Sequence, residues 1–232
     1  MARKASSRAR LRIFAALLLI ALLGGGYLWW HLRHWQPPRE EYPVQGVEIG
    51  APDGAVNWVS LKAIGAEFAY LDASASAFAR DPLFVRNFQD AREAGLPVGA
   101  VHRYDPCQPA DRQAANFVTV VPRDPELLPP AVELDMLADD CPVKVTDAAV
   151  ESELMTFLNQ IETHTGKPVM LKLGSGFESR YAIAARIDRN LWLVRDRLHP
   201  DYGGRPWTMW TANSSLANEV VEGGLRWVVV ER

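Results

Sequence analysis

The chain has 232 residues, 48% of them hydrophobic, and a formal net charge of −3 at neutral pH. That is enough apolar material for one sizeable core and too little for two comfortable domains. No basic face stands out beyond the first dozen residues, so no nucleic-acid partner is expected. No Cys/His cluster has ligand spacing, so neither a metal nor a cofactor is expected.

The N-terminus comes first. Arg3, Lys4, Arg8, Arg10 and Arg12 form a basic tail over residues 1–12 without an acidic residue. An unbroken apolar run follows from Ile13 to Trp30, at the short end of what spans a bilayer. Positive charge stays inside, so everything after Trp30 is expected outside, with Trp29 and Trp30 at the outer interface. A cleaved signal peptide is the rival reading. No clean small-x-small site is present and the run ends in bulky aromatics, which favours a signal-anchor over residues 13–30. The protein is therefore expected in the inner (cytoplasmic) membrane, single-pass, with its domain on the periplasmic side. Cys107 and Cys141 fall on that side, where disulfides persist, and one bridge is expected. The alternative is a pair of unrelated thiols.

Residues 31–43 are polar and contain prolines, as a juxtamembrane linker would. The folded domain is expected over 44–232. Val44–Ile49 and Phe68–Asp72 read as strands. Asp81 and Pro82 open a helix whose inner face is Phe84, Phe88 and Ala91, and Gly95 ends it. Pro97–Val101 is a third strand, Ala110–Val121 a helix, and Ala131–Asp135 a fourth strand. Val150, Leu154, Phe157, Leu158 and Ile161 recur at helical spacing. Thr146 or Asp147 caps that helix and Gly166 ends it. Pro168–Leu173 is a fifth strand, and Leu191–Val194, Trp207–Trp210 and Trp227–Val230 are three more. Strands alternating with helices predict an α/β fold, an irregular (β/α) barrel, with a doubly wound open sheet as the alternative.

Barrel sites lie at the carboxyl ends of the strands. Glu133 and Asp135 are two apart and point to the same side of the fourth strand. Glu48 has the same place on the first strand, and Asp72 ends the second. His102 and Tyr104 follow the third, and Trp210 lies on a late strand. Close carboxylates resist ionising together, so one can stay protonated and act as an acid. Glycoside hydrolysis needs such an acid and a second carboxylate. The bland reading is that these acids cap helices or meet basic neighbours. His102 is readable as a general base or as a buried, hydrogen-bonded residue. Tyr104 and Trp210 are readable as sugar platforms or as core.

Several segments in order resemble family 25 glycoside hydrolases, the muramidase-type lysozymes. Gly46-Val47-Glu48-Ile49 is similar to the family's opening G-I-D-V/I strand. Gly65 to Tyr70 resembles G-x-x-F-A-F, Asp81 to Asn87 resembles D-x-x-F-x-x-N, and Gly99 to His102 resembles G-A-Y-H. Leu128 to Asp135 (LPPAVELD) resembles L-P-P-V-L-D-I-E, and Trp207 to Thr211 the W-x-x-W-Q-Y-T segment. Cys107 and Cys141 resemble the cysteine pair of a bacterial subgroup. The resemblance implies a barrel of that family and cleavage of the β-1,4 bond between N-acetylmuramic acid and N-acetylglucosamine in peptidoglycan glycan strands. By position, Asp135 would be the general acid, with Glu133 and Glu48 completing the catalytic set. Asp72, His102, Tyr104 and Trp210 would contact substrate.

Departures from the pattern are informative. The family's D-x-E is Glu133-x-Asp135, with the two acid types exchanged. The first-strand Asp is Glu48. The Lys of K-A-T-E-G on strand two is Asp72. The closing V-D-x-N strand is Arg226-Trp227-Val228-Val229, without an Asp. Displacements of about 1 Å at a reacting group can cost on the order of a hundredfold in rate. Three functions stay open: a muramidase, an anchored peptidoglycan-binding protein without turnover, and an envelope interaction protein.

Overall fold

The structure, a computed structural model, describes residues 2–221 and 223–231, with side chains from residue 10 onward. The chain forms two compact units, Met1–Trp35 and Gln36–Arg232. The first is a single helix, α1 (Ala2–Arg33). Residues 10–33 are long and apolar enough to cross a membrane, a test that a signal sequence near an N-terminus also passes. The side chains of Arg3, Lys4 and Arg8 lie outside the described ones. His31–Arg33, expected in the linker, continue the helix.

The second unit is built on a closed barrel. Its strands are β1 (Gln45–Ile49), β2 (Ala69–Ala75), β3 (Ala79–Arg80), β4 (Val98–Arg103), β5 (Ala131–Leu134), β6 (Met170–Leu173), β7 (Asn190–Val194), β8 (Met209–Leu216) and β9 (Leu225–Val230). The order is β1-β9-β8-β7-β6-β5-β4-β2-β3, and a β1–β2 pairing closes the ring. β3 stands outside it as a short hairpin partner of β2. Neighbours from β1 and β2 round to β8 are parallel. β9 is antiparallel to both β8 and β1. The open-sheet alternative therefore falls.

Helices cover the outside: α2 (Trp58–Ala63), α3 (Phe84–Glu93), α4 (Ala110–Val120), α5 (Asp147–Thr165), α6 (Ser175–Tyr181) and α7 (Ile183–Arg186). α5 shows how sequence makes an element here. Its five periodic apolar residues, Val150, Leu154, Phe157, Leu158 and Ile161, are all buried. Thr146 Oγ1 accepts from the Ala149 amide at 3.2 Å, and Gly166 ends the helix at φ 71°. Each such buried side chain contributes about 1.5–3 kcal/mol.

Inside the barrel, alternate residues of each strand meet. The lower part is apolar: Phe68, Tyr70, Val101, Ala131, Met170, Trp192, Met209 and Val228 form one cluster. Gly46 and Gly99 make room for it, since a Cβ there would collide with the rings of Phe68 and Tyr70. Much of the stretch expected as linker is packed on this unit. Gln45 Nε2 donates to the carbonyls of Pro37 (3.0 Å) and Tyr42 (2.8 Å), and Tyr42 is buried. Cys107 and Cys141 form the expected disulfide, joining the loops that follow β4 and β5.

Candidate active site

Above the apolar cluster the inward-facing positions change character. Arg103, Glu133 and Lys172 stand side by side on β4, β5 and β6, in direct register. Glu48 on β1 stands opposite Arg226 on β9. Strand parity therefore brings acids and bases onto one ring at the carboxyl ends of the parallel strands.

Their side chains interlock. Lys172 Nζ lies 2.6 Å from Glu48 Oε1 and 2.8 Å from Glu133 Oε1, and 5.2 Å above the Trp192 ring centre. Arg226 reaches three acids: Glu48 Oε1 at 3.1 Å, Asp53 Oδ2 at 3.2 Å and Asp72 Oδ2 at 3.0 Å. Arg103 Nε donates to Glu133 Oε2 at 2.8 Å. Four carboxylates thus share three cations. Glu48 and Lys172 are buried, where an unpaired charge would be costly. The backbone is fitted to this arrangement. A Cβ on Gly50 would strike the Asp72 carboxylate, and the Gly50 amide donates to Asp53 Oδ2 at 2.7 Å.

The two glutamates respond in opposite directions. Burial pushes the Glu48 carboxyl up, against the pull of Lys172 and Arg226. Burial also acts on Glu133, but Lys172 and Arg103 outweigh it and hold the carboxyl at about 2. Lys172 is raised: burial opposes its charge, and Glu48 and Glu133 overcome that. Glu133 is a fixed anion at neutral pH.

Asp135, one residue beyond β5, differs from all of these. It is exposed, and its carboxylate packs against Gly174, where a Cβ would collide with it. Among the described residues its side chain has no hydrogen bond or ion pair.

The structure brings Glu48, Asp72, Glu133 and Asp135 to one mouth and separates three other candidates from it. His102 is on the outer face of β4, buried, with Ser74 Oγ 2.8 Å from Nδ1 and Gln113 Oε1 3.3 Å from Nε2. Its ring lies 4.6 Å from that of Phe157 on α5. Burial pulls its pKa down to about 4. Tyr104 shares that face, buried against Phe157. Trp210 is buried on the outside of β8, beside Tyr42, Trp207 and His199, and donates to the Arg195 carbonyl at 2.7 Å. Parity explains all three: their neighbours Val101, Arg103, Met209 and Thr211 face inward, so they face out. The sequence reading missed Lys172 and Arg226 as site residues. The Met170-x-Lys172 alternation was the available signal, since it sets a lysine on the barrel's inner face.

Comparison with known proteins decides the family. The profile of glycosyl hydrolases family 25 matches residues 47–218. The chain belongs to this family. A family 25 glycosyl hydrolase from Bacillus anthracis superposes with a TM-score of 0.76 at 23% identity, covering 85% of this chain and 92% of that one. At that identity the likeness is one of fold. The uncharacterized protein YegX of Escherichia coli K12 is 24% identical over 176 residues, 73% of this chain and 62% of YegX. The chain thus spans less than two thirds of that relative's length. Lysozyme M1 of Streptomyces globisporus is 35% identical over 65 residues, 28% of this chain and 22% of that protein. In the mouth an acid and a base face each other from β2 and β9: Asp72 and Arg226 meet at 3.0 Å.

Proposed function

We propose that this family 25 glycoside hydrolase is a membrane-anchored N-acetylmuramidase that cleaves the MurNAc–GlcNAc β-1,4 bond of peptidoglycan. Asp135 is the general acid. Glu133 and Glu48 stabilise or position the reacting sugar, and Asp72 holds Arg226 in place. The observation that carries this reading is the division of labour on β5. Two carboxyls on one side of one strand end have opposite surroundings: Glu133 is kept ionised by two cations, and Asp135 is free of them. An acid and a standing negative charge are what the chemistry requires. The fold shared with the Bacillus anthracis enzyme and the partial match to lysozyme M1 support it.

The test is release of reducing ends from purified peptidoglycan by the full chain in detergent. Activity is expected, and Asp135→Asn is expected to lower it by about two to four orders of magnitude. Full activity in that variant would remove Asp135 from the mechanism. A second reading, glycan binding without turnover, is favoured by one observation: Glu48, Asp72 and Glu133 are all engaged by cations. Binding to sacculi with no reducing ends from either protein would establish it.

We infer further that α1 is an uncleaved signal-anchor spanning the inner membrane, with the barrel on the periplasmic side. Resistance of the protein to alkaline extraction, with intact N-terminal sequence, checks this. An N-terminus beginning after residue 30 would show cleavage instead.

A further inference from the structure

A cavity of about 220 Å³ opens at the rim of the mouth, between the turn after β1 and the β2–β3 hairpin. Arg80, Arg103, Ser74, Asp72, Asp81 and Pro52 are among its walls. The two acids are already committed. Asp81 accepts from the Ala51 amide (2.6 Å) and the Leu83 amide (2.7 Å), and Asp72 is held by Arg226 at 3.0 Å. The two arginines are not. Each uses only Nε, Arg80 on Asn116 Oδ1 at 2.9 Å and Arg103 on Glu133 Oε2 at 2.8 Å. Among the described residues their Nη atoms have no partner.

The hairpin beside the cavity is held with unusual care. Asn116, buried, donates from Nδ2 to the carbonyls of Ala75 (3.4 Å), Ser76 (3.2 Å) and Ala79 (2.8 Å). Ser76 sits at φ +52°, a left-handed position costly for a residue with a side chain, and its Oγ donates to Asp105 Oδ2 at 2.8 Å. β2 also breaks register between Asp72 and Ser74, as bulges near sites do. What this braced turn presents to solvent is Phe78, 74% exposed. Phe78 belongs to the turn between β2 and β3, and the β3 residues that follow it, Ala79 and Arg80, line the cavity.

We propose that the β2–β3 hairpin and Arg103 form a subsite for an amino sugar that bears a free carboxylate. The sugar face lies on Phe78, and its carboxylate is received by the open Nη edges of Arg80 and Arg103. Guanidinium forks match carboxylates in both geometry and charge. A lactyl carboxyl amidated to a stem peptide is neutral and would forfeit the charge-assisted bonds. The subsite therefore selects glycan whose muramyl residues have lost their peptides. Such a substrate is the product of a reaction that hydrolyses the lactyl–peptide amide, so this enzyme acts after that step. The proposal rests on the hydrolase reading for its place in the wall, not for the binding itself.

The test is an NMR titration of the full chain in detergent with three probes: N-acetylmuramic acid, its methyl ester and N-acetylglucosamine. The acid is expected to bind about tenfold more tightly than the ester or the neutral sugar, a difference of about 1.4 kcal/mol. Arg80→Gln is expected to erase that preference, while Phe78→Ala weakens all three probes alike. Both residues are exposed, so folding is expected to be unchanged and is checked by near-ultraviolet circular dichroism. Equal binding of acid and ester, a preference that survives Arg80→Gln, or no binding at millimolar concentration would each overturn the subsite. Reducing-end release together with equal binding would leave the muramidase reading standing and remove this one. A carboxylate preference without reducing-end release would do the reverse.

Discussion

The lower half of the barrel and its mouth fill the same kind of position by different means. Below, inward residues such as Met170, Trp192 and Met209 pack as an apolar cluster. One pleat higher, the same strands contribute Lys172, Glu133, Arg226 and Glu48, bound into an ion lattice. The apolar half is stabilised by removing surface from water and is indifferent to pH. The ionic half depends on its own completeness, because Glu48 and Lys172 are buried and need their partners to stay charged. Lys172 joins the two halves, with its ammonium above the Trp192 ring and its charge on two acids.

That contrast predicts a ranked set of responses. The largest loss of stability is expected from Lys172→Met, which leaves Glu48 and Glu133 facing each other across a low-dielectric gap. Its cost is about 3–5 kcal/mol at neutral pH, read by denaturant unfolding. Met170→Ala, two residues away on the same face, is expected to cost about 2–5 kcal/mol through lost burial and a cavity. Acid separates the two even where the magnitudes overlap. Glu133 is held below its ordinary value, so its contribution is present above about pH 4.5 and is lost as pH falls toward 2. Lys172→Met removes the larger of the two cationic holds on Glu133, so the gap between variant and wild type should narrow over this interval. The Met170→Ala gap should stay constant. Equal pH dependence in both variants would show that the lattice contributes nothing specific to stability.

The smallest stability effect is expected from Arg103→Gln. Its side chain is 58% exposed, so solvent screens the pair with Glu133 and the loss is about 1 kcal/mol or less. Its effect on activity should be easier to see. With one cation removed the Glu133 carboxyl rises, so the acid limb of the pH–rate profile should move to higher pH. An unmoved limb would mean that Lys172 alone sets the charge on Glu133.

The parts of this fold that were legible in the sequence were those where local and tertiary demands agree. α5 has a clear apolar period, a capping threonine and a terminal glycine, and its extent matched expectation. The alternation of strands and helices gave the barrel. Short elements were missed, since α2, α6 and α7 have six, seven and four residues and little periodicity of their own. β8 was expected to end at Trp210 but runs to Leu216; the continuation was missed because Thr211–Ser215 is polar apart from Ala212. Those polar residues are tolerated where the barrel offers partners, as in the 2.8 Å bond from Trp192 Nε1 to Thr211 Oγ1.

The site was half legible for a related reason. Carboxylates at strand ends are a visible signal, and Glu48, Asp72, Glu133 and Asp135 do converge. Their counter-charges come from residues far away in sequence, 124 positions between Glu48 and Lys172 and 178 between Glu48 and Arg226. Arg226 was noticed only as a missing Asp. His102, Tyr104 and Trp210 were chosen by place along the strands and by resemblance, whereas strand parity sends each to the barrel's exterior.

The reversed direction of β9 has a mechanical consequence. Because that strand runs against its neighbours, the barrel's first and last strands, Gln45 at one end and Val230 at the other, meet at the end away from the mouth, where the Val230 amide donates to the Val44 carbonyl at 3.0 Å. Tension applied between the Gln45 end of β1 and the mouth would run along the strands, so the rungs between β1 and its two neighbours would share the load at once, rather than opening one after another.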